Sequence, residues 1–561
     1  MRVIGCLSGT SHDAIEVAAA DLTLDGDEVT MTPLGGRTVA FDPALREEIA
    51  AALPPATTSM AAVCRLDTLL GQAFAEAARR ADAELCEGRA ELVVSHGQTV
   101  YHWVEGGRAL GSLQLGQPAW IAELTGLPVV SDLRSRDVAR GGQGAPLVSL
   151  LDALLLAPAG QPRAALNLGG IANLTVVRPD GTVAAWDVGP ANALLDAAVR
   201  EQSGGAERYD RDGRRALAGR VSAELLADLL ADPYYALPPP KSTGKEHFNA
   251  AYLRQALARH PQVRGDDVVA TLTRLSARIV ADACHREGVA ELLVSGGGSR
   301  NPALMADLAA CAEGVTLRPV EALGIPNQAK EALAFALLGF LTVHGVAGTI
   351  PACTGARSAA VLGSITPGNR PLRLPDPAPD PASPPRRLRL LPPLRQAVAA
   401  DAAALASVFV RCFRSAYPGI LADEVLAGLD EASIREWLRE QVAHPEPGER
   451  TVVATRDGKV VAFVRFGPDP DDQRRGHVFS LYTDPGASGA GIGRALLEHA
   501  VGELRRAGFG TVTLWVFERN QRARRLYQRA GFRPDGARQV EPEWGAPEIR
   551  LALPPDQGPR R

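Results

Sequence analysis

The sequence has few of the features that would place it in a specialised class of protein. Its 561 residues include no apolar run long enough to span a bilayer, and the opening segment MRVIGCLSGT lacks the pattern of a signal peptide. The net charge of −4 gives no general attraction to nucleic acid. Seven cysteines are scattered without a Cys-x-x-Cys pair, and we interpret them as buried thiols in a reducing compartment. These absences predict a cytoplasmic protein without membrane or nucleic-acid partners.

What the chain does have is length and one compositional break. With 46% hydrophobic and 22% charged residues it is typical of globular proteins, and 561 residues are too many for one ordinary core. The segment TPGNRPLRLPDPAPDPASPPRR, residues 366–387, is dense in proline and lacks apolar periodicity, as expected of an extended linker. We therefore predict one domain over residues 1–365 and a second over residues 388–555.

The first domain contains a weak internal repeat. Residues 2–40 and 163–187 each predict three strands separated by turns rich in glycine and aspartate. Helical patterns follow both copies, for example AVCRLDTLLGQAFAEAARRADAEL and ANALLDAAVREQ. The sequence therefore predicts a duplicated α/β fold with a cleft between its two lobes.

Three small-residue turns follow predicted strands in this domain. They are Ser8-Gly9-Thr10-Ser11, Gly169-Gly170 and the glycines of SGGGS at 295–299. Glycines at strand ends let backbone N–H groups approach phosphate oxygens. One such turn is weak evidence because turns need glycine anyway, but three together favour a phosphate site. None of them matches the P-loop pattern G-x-x-x-x-G-K-[ST].

Asp187 lies where the predicted strand TVAAWD ends and a helical stretch begins. A carboxylate there can cap the helix by accepting backbone N–H bonds. It can equally be a catalytic base, because ligands of α/β proteins bind beyond strand ends. The residue alone leaves both interpretations open.

Long stretches of residues 3–365 resemble the anhydro-N-acetylmuramic acid kinases of the actin/hexokinase/Hsp70 ATPase superfamily. The stretches are SGTSHDAIEVA, SHGQTVYH, LQLGQPAWIAELTGLPVVSDLRSRDVARGGQGAPLV, LNLGGIANLTVV, WDVGPANALLD, KSTGKEHFN, ELLVSGGGSRNP and KEALAFALLG. The resemblance implies a duplicated actin-like ATPase fold, with two lobes around a cleft, that acts as a homodimer. It further implies that ATP and Mg²⁺ phosphorylate 1,6-anhydro-N-acetylmuramic acid while water opens the anhydro bridge, a step of cell-wall recycling.

The same resemblance implies roles for individual residues. Asp187 is expected to be the general base that activates the water. ATP is expected to contact Gly9, Thr10, Ser11, His12, Asp13, Ala14, Ile15, Glu16, Gly169, Gly170, Gly296, Gly297 and Gly298. The sugar is expected to contact Ser11, Thr99, Arg134 and Glu331. No residue is assigned to the metal.

Several of these positions have structural alternatives. His96 is expected to hydrogen-bond its own turn. Arg134, Arg136 and Asp137 can form a surface charge cluster, and Glu331 can serve as a favourable acid near a helix N-terminus.

Four positions depart from the pattern of the family. In the first turn, Ala14 replaces glycine and Glu16 replaces aspartate, so we expect an altered turn because alanine resists a positive φ. Gln117 and Asn327 stand where acids are common, and their neutrality predicts weaker Mg²⁺ binding. The departures leave two alternatives open: a non-catalytic muropeptide or nucleotide sensor that regulates the second domain, and a kinase for another sugar.

The second domain shows a different pattern. It contains a hairpin with an Asp-Gly turn, GERTVVATRDGKVVAFVRFG, and the strand GHVFSLYTDP followed by GAGIG at the start of a helix. Residues 390–553 resemble the GNAT acetyltransferases, an α/β fold that uses acetyl-CoA. Ser488 stands where that family has glutamine or arginine. The sequence does not identify the acceptor of the acetyl group.

The GNAT resemblance also implies site residues. Acetyl-CoA is expected to contact Gly489, Gly491, Gly493 and Asn520. Tyr527 is expected to protonate the leaving thiolate, and its alternative is an aromatic side chain that anchors a helix on the sheet.

Overall fold

The computed structural model describes residues 1–9, 12–53, 56–106, 108–244, 247–376, 380–456, 458–489 and 491–555. The chain divides into two compact units, Met1–Arg389 and Leu390–Arg561. Among the described helices, none combines the length and apolar character that a membrane crossing requires.

The first unit alternates strands and helices. Its strands are β1 (Arg2–Ser8), β2 (Ala14–Asp25), β3 (Glu28–Ala40), β4 (Leu92–Glu105), β5 (Arg108–Leu115), β6 (Val129–Ser131), β7 (Arg163–Leu168), β8 (Ile171–Val177), β9 (Val183–Pro190), β10 (Glu291–Ser295), β11 (Thr316–Pro319), β12 (Ser364–Thr366) and β13 (Arg387–Leu390). Its α-helices are α1 (Pro43–Ala52), α2 (Met60–Leu85), α3 (Pro118–Thr125), α4 (Ser135–Ala139), α5 (Ser149–Leu156), α6 (Asn192–Gln202), α7 (Arg214–Ala218), α8 (Ala223–Leu230), α9 (Ala250–Arg259), α10 (Asp266–Arg286), α11 (Pro302–Cys311), α12 (Lys330–Val343) and α13 (Pro351–Thr354). Short 3-10 helices span Arg211–Gly213, Pro233–Ala236, Gly297–Arg300, Val320–Leu323 and Asn327–Ala329.

Two sheets of this unit have the same topology, which confirms the predicted duplication. The first runs β12-β6-β4-β1-β2-β3-β13, with β5 paired to β4, and the second runs β11-β10-β7-β8-β9. In each copy three antiparallel strands form a meander, and the first of them pairs in parallel with a later strand. The strands read as nearly continuous apolar runs because helices cover both faces of each sheet.

Close packing fixes α12 on the first sheet. A Cβ at Gly5 of β1 would lie 2.0 Å from the carbonyl oxygen of Ala332, and one at Gly339 would lie 2.1 Å from a methyl carbon of Val94. Glycine at both positions therefore lets the helix backbone approach the strands. This contact brings the start of α12 to the carboxyl end of β1.

The proline-rich segment 366–387 belongs to the first unit. The Asn369 amide donates to the carbonyl of Gly126 (3.0 Å), the Ala347 amide to that of Pro381 (3.0 Å), and the Arg386 amide to that of Asp27 (2.9 Å). The segment therefore lies along the surface of this unit rather than extending freely from it.

The second unit is a seven-stranded sheet in the order β14-β15-β16-β17-β18-β20-β19. Its strands are β14 (Leu394–Gln396), β15 (Arg450–Arg456), β16 (Lys459–Pro468), β17 (Arg475–Thr483), β18 (Thr511–Phe517), β19 (Arg533–Val540) and β20 (Pro547–Leu553). Its helices are α14 (Ala402–Ala416), α15 (Asp423–Ala427), α16 (Glu431–Ala443), α17 (Ile492–Arg506) and α18 (Gln521–Arg529), with 3-10 turns at Ala399–Asp401 and Pro485–Ala487. Two apolar cores, one with α14 and α16 and one with α17 and α18, cover the two faces of the sheet.

The cysteines are less uniformly buried than expected. Cys6, Cys86, Cys284 and Cys353 are buried, and burial raises the pKa of each of these thiols. Cys64 is exposed on α2, so the expectation of buried thiols is wrong there.

Candidate active sites

Asp187 is held inside β9 rather than at a helix start. Its Oδ1 accepts a hydrogen bond from the side-chain amide of Asn173 (2.8 Å), which is its partner on β8. Its Oδ2 accepts the backbone N–H of Thr243 (3.0 Å). Helix α6 begins later, at Asn192, and its N-cap residue Ala191 makes no side-chain capping bond. The helix-capping interpretation of Asp187 is therefore wrong.

Hydrogen bonds with Tyr234 and Lys241 fix the backbone of Asp187. Its carbonyl accepts the hydroxyl of Tyr234 (2.7 Å), and its amide donates to the carbonyl of Lys241 (3.1 Å). The Lys241 ammonium in turn donates to the carbonyl of Tyr234 (2.9 Å) and lies over its ring. Burial, aided by Arg286, lowers the pKa of Lys241 to about 8. Sequence reasoning missed the supporting roles of Asn173, Tyr234 and Thr243, although Asn173 and Thr243 lie in the stretches that resemble the family.

The second and third glycine turns lie side by side. They follow β7 and β10, which are neighbouring parallel strands, so their carboxyl ends share one edge of the sheet. A Cβ at Gly298 would lie 2.9 Å from the Cβ of Leu168, and one at Gly296 would lie 2.7 Å from the backbone nitrogen of Leu168. The carbonyls of Gly169 and Gly170 accept the first N–H groups of the α6 region. Nothing lies within 4 Å of the Cβ position of Gly297.

The first turn follows β1. The space beside Gly9 is open, and its carbonyl accepts the amide of His12 (3.1 Å), which carries the positive φ of 46°. Asp13 forms an ion pair with Arg46. The Ile15 side chain lies in the apolar core of the first sheet. Thr10 and Ser11 lie outside the described residues.

Two carboxylates face each other near these turns. Burial raises the pKa of Glu16 on β2 to about 7; nearby Glu331 raises it further, while Arg300 opposes the shift. Burial also raises the pKa of Glu331, against the effects of Lys330 and of a 2.7 Å hydrogen bond from the Asn167 amide. Residues from both halves of the unit therefore meet at one charged cluster. No group of three or more potential metal ligands occurs among the described residues.

Arg134 and His96 form a buried pair beside this cluster. The Arg134 Nε donates to Nε2 of His96 (2.8 Å), and its Nη1 donates to the carbonyl of Gly144 (2.6 Å). His96 Nδ1 contacts the carbonyl of Gly97 (3.0 Å), as expected for a residue that bonds its own turn. Burial, and then Arg134, lower the pKa of His96 to about 3, so the ring is neutral with its proton on Nδ1.

The surface-cluster interpretation of the Arg134 region is wrong. Asp137 is fully buried and accepts the Thr354 hydroxyl (2.8 Å) and the Gly144 amide (2.8 Å). Arg134 interacts electrostatically with Glu331, and Thr99 accepts the side-chain amide of Gln114 (3.2 Å).

In the second unit, the neighbouring strands β17 and β18 diverge after four paired residues. They pair in parallel from Arg475–Thr511 to Val478–Leu514, and the rest of each strand continues without pairing to the other. The loop after β17 contains Gly489 (φ 89°) and Gly491 (φ 82°), and Gly491 begins α17 without a side-chain cap. The N–H groups of this first helical turn are therefore available to an anion, which fits the pyrophosphate of acetyl-CoA.

Tyr527 and Asn520 both lie on α18. The Tyr527 ring packs edge-on against Phe532 in the second unit's core, and burial raises the pKa of its hydroxyl. Tyr417 and Tyr482 lie close enough to interact electrostatically with that hydroxyl. The Asn520 Oδ1 accepts the amide of Ala523 (3.1 Å) and so caps the helix. The anchor interpretation therefore describes the ring of Tyr527.

Comparison with known proteins identifies the first unit. Residues 1–368 match the family model of anhydro-N-acetylmuramic acid kinase. The chain belongs to this kinase family. The anhydro-N-acetylmuramic acid kinase of Streptomyces coelicolor is 62% identical over 391 residues, which are 70% of this chain and 99% of that protein. The enzyme of the same name from Rhodococcus erythropolis is 55% identical over 377 residues, covering 66% of this chain and 95% of that protein.

The second unit carries a GNAT domain, since residues 406–532 match the acetyltransferase (GNAT) family model. Similar solved structures include the PaiA N-acetyltransferase of Thermoplasma acidophilum in complex with coenzyme A, at 17% identity and a TM-score of 0.25, over 29% of this chain and 97% of that one. Another is the ribosomal-protein-alanine N-acetyltransferase of Brucella melitensis, at 23% identity and a TM-score of 0.24, over 29% and 98% of the chains.

The geometry accounts for two departures from the kinase family pattern. Ala14 opens β2 opposite Ala40 in extended conformation, so the expectation that it strains the turn is wrong. Gln117 is exposed, and its Oε1 accepts the Ala119 amide (3.4 Å) at the start of α3.

Asn327 braces the third turn of the kinase unit. Its Oδ1 accepts the Gly296 amide (2.7 Å), and its Nδ2 donates to the Gly296 carbonyl (3.2 Å) and to the Ser299 hydroxyl (2.6 Å). The side chain thus uses donor and acceptor together, which aspartate is unable to do.

Proposed function

We propose that the first unit transfers the γ-phosphoryl group of ATP to O6, the bridging oxygen of 1,6-anhydro-N-acetylmuramic acid, while water attacks the anomeric carbon. The bond between C1 and O6 breaks, O6 takes the γ-phosphoryl group, and the water oxygen becomes the new 1-hydroxyl. The products are ADP and N-acetylmuramic acid 6-phosphate. Membership of the kinase family and the 62% identical Streptomyces relative support this reaction over a non-catalytic sensor.

Asp187 is the general base in this proposal, and its setting is the observation that carries it. One neutral amide and one backbone N–H hold the two oxygens in a fixed orientation. A carboxylate so oriented is of the type that accepts a proton from water as a general base. The carboxylate also stabilises positive charge that develops at the anomeric carbon.

The nucleotide lies along the three glycine turns in this proposal. Backbone N–H groups near Gly9, Gly169, Gly170 and Gly296–Gly298 receive its phosphates. Mg²⁺, when bound, neutralises charge on the transferring phosphoryl group. Glu16 and Glu331, which interact electrostatically beside these turns, are the carboxylates that would hold such an ion or its water ligands. Thr99, Arg134 and Glu331 contact the sugar, with neutral His96 fixing the Arg134 guanidinium.

The first experiment compares wild type with Asp187→Asn, using ATP, Mg²⁺ and the anhydro sugar. ADP release is followed, and the mass of the product is checked for added phosphate and water. We expect Asp187→Asn to lose on the order of 10²–10⁴ in rate, as for removal of a general base. Asp180→Asn is the matched control, because Asp180 lies in an exposed turn and accepts the amide and hydroxyl of Thr182 there. Full activity of Asp187→Asn contradicts the assignment of the base, and folded wild type that binds the sugar without turnover supports the sensor.

We further propose that the second unit transfers acetyl from acetyl-CoA to an amine whose identity stays open. The loop containing Gly489, Gly491 and Gly493 receives the pyrophosphate, and Asn520 contacts the pantetheine arm. Tyr527 protonates the leaving thiolate in this proposal, as the resemblance to the GNAT family implies. Calorimetric titration with acetyl-CoA tests cofactor binding without knowledge of the acceptor.

We also propose the compartment, the oligomeric state and the pathway of the enzyme. We expect a cytoplasmic homodimer that takes part in peptidoglycan recycling, with the kinase over residues 1–365 and the acetyltransferase over residues 388–555. The β4–β5 hairpin supports self-association, because Tyr101, Trp103 and Leu113 are 53%, 45% and 44% exposed there. Light scattering on the purified chain measures the oligomeric state.

A further inference from the structure

Helix α18 carries an unpaired row of arginines. Arg522, Arg525 and Arg529 are exposed at spacings of three and four residues, so they share one face of the helix. The helix contains no acidic residue, and no described acid forms an ion pair with any of the three. On other helices an arginine commonly has an acidic partner one turn away, as in Arg79–Glu76, Arg278–Asp282, Arg439–Glu436 and Arg506–Glu503. We call Arg522, Arg525 and Arg529 the arginine face.

The arginine face borders an open depression. Its volume is about 380 Å³, and it is lined by Arg525, Gln528, Arg529 and Arg533. Arg533 is fixed at the rim, because its Nη1 donates to the carbonyls of Gln528 (3.0 Å) and Phe532 (3.0 Å). Arg525 and Arg529 make no hydrogen bond within the part of the chain that the structure describes. Like charges one turn apart repel each other, so this surface gains stability from a bound anion.

The depression lies next to the loop that fits the coenzyme pyrophosphate. A Cβ at Gly493 in the first turn of α17 would lie 3.7 Å from Cδ2 of Leu526 on α18. Arg522, Arg525 and Arg529 flank Leu526 along the helix, within about 5–6 Å between Cβ atoms for the neighbours one turn away. An arginine side chain spans the remaining distance.

The loop itself lacks a long polar side chain. Ser488 stands where the GNAT family has glutamine or arginine, and its hydroxyl donates to the carbonyl of Asp484 (3.3 Å). The loop therefore offers phosphate oxygens backbone N–H groups but no cationic side chain of its own at this position. Arg494 in the first turn of α17 pairs with Glu498, and α18 adds further positive charge beside the loop.

We propose that the arginine face binds the 3′-phosphate of coenzyme A. This inference rests on the proposed acetyl-CoA-dependent function of the second unit. The 3′-phosphate is a monoester with a charge of about −1.5 to −2 at pH 7, and guanidinium groups bind phosphates with two parallel hydrogen bonds. The depression lies beside the loop that would hold the pyrophosphate, so a phosphate elsewhere on the same coenzyme could reach it.

The test uses the full chain, with coenzyme A and 3′-dephospho-coenzyme A titrated calorimetrically at fixed ionic strength. Wild type is expected to bind coenzyme A at least ten-fold more tightly, since charged hydrogen bonds are worth about a factor of ten or more. The double variant Arg525→Gln/Arg529→Gln is expected to lose this preference and to keep its affinity for the dephospho form. Arg435→Gln on α16 is the control, because it removes one exposed helical arginine from the same unit.

The outcomes separate this inference from the function on which it rests. Equal binding of both coenzymes by wild type, or an unchanged preference in the double variant, overturns the 3′-phosphate site and leaves acetyl-CoA binding intact. Failure of folded wild type to bind either coenzyme overturns both. A preference that disappears in the double variant and persists in Arg435→Gln supports the site.

Discussion

Asn327→Asp tests whether the family's usual acid at this position would improve the kinase unit. Asn327 makes three hydrogen bonds to the third glycine turn, two of them as a donor. Aspartate keeps the bond from the Gly296 amide but places a charged oxygen opposite the Gly296 carbonyl, which is now 3.2 Å from the amide nitrogen. The Ser299 hydroxyl can turn to the new carboxylate, yet it then leaves the Gly296 carbonyl that it bonds at 2.7 Å.

The net change is the loss of two of the three donors to the Gly296 carbonyl, which keeps the Ser299 amide (3.2 Å), against one stronger bond from serine. Loss of a partner for such a group costs about 1–3 kcal/mol, of which the new charged bond returns part. We therefore expect Asn327→Asp to lose about 1–2 kcal/mol of unfolding free energy, a fall in Tm of about 2–4 °C. The KM for ATP is expected to rise or stay constant.

The assay combines a thermal melt of the full chain with ATP kinetics at several Mg²⁺ concentrations. Asn327→Ala is the companion variant, because it removes all three bonds without adding charge. A lower Mg²⁺ requirement in Asn327→Asp, with an unchanged Tm, would refute the bracing role and make position 327 a metal-binding position.

Two further predictions concern the same cleft. Gly298→Ala is expected to lower Tm, because its Cβ would lie 2.9 Å from that of Leu168, at a cost of about 1–3 kcal/mol, whereas Gly297→Ala adds a methyl to open space and should leave Tm unchanged. Equal melts of the two variants contradict the close approach of the turns. The pKa of Glu16 is raised from 4.5 to about 7, so the folded state holds the proton more tightly and stability falls as pH rises across that window. Glu16→Gln should therefore raise Tm more at pH 8 than at pH 5, and an equal gain at both pH values would refute the raised pKa.

The sequence was sufficient for the duplicated fold because strand and turn periodicity are local. Each copy is punctuated by glycine and aspartate, and both sheets have the expected meander. Local sequence patterns could not predict the contacts of Asp187, because its partner Thr243 is 56 residues away along the chain. A strand end identifies where a ligand can bind, but only the folded chain shows what holds the carboxylate.

The error at Ala14 has a simple physical origin. Ala14 was expected to alter the first turn, but the positive φ falls at His12 and Ala14 is already part of a strand. The segment 366–387 was expected to be an extended linker because of its prolines, and the backbone of its described residues bonds to residues as distant as Asp27. Composition indicates which conformations a segment can adopt in isolation, whereas contacts with the rest of the fold determine which one it adopts.

The start of α12 connects the two halves of the kinase unit on either side of the cleft. The helix is packed on the first sheet through Gly5 and Gly339, while its first residues bind the other half of the unit. Lys330 is buried and pairs with Asp152 at 2.6 Å, and Glu331 accepts the Asn167 amide. Breaking a buried ion pair by removal of one partner costs about 3–5 kcal/mol, so an opening of the cleft that keeps the Lys330–Asp152 pair is favoured over one that separates it. Such an opening would also leave Glu331, the next residue of the helix, on the Asn167 amide.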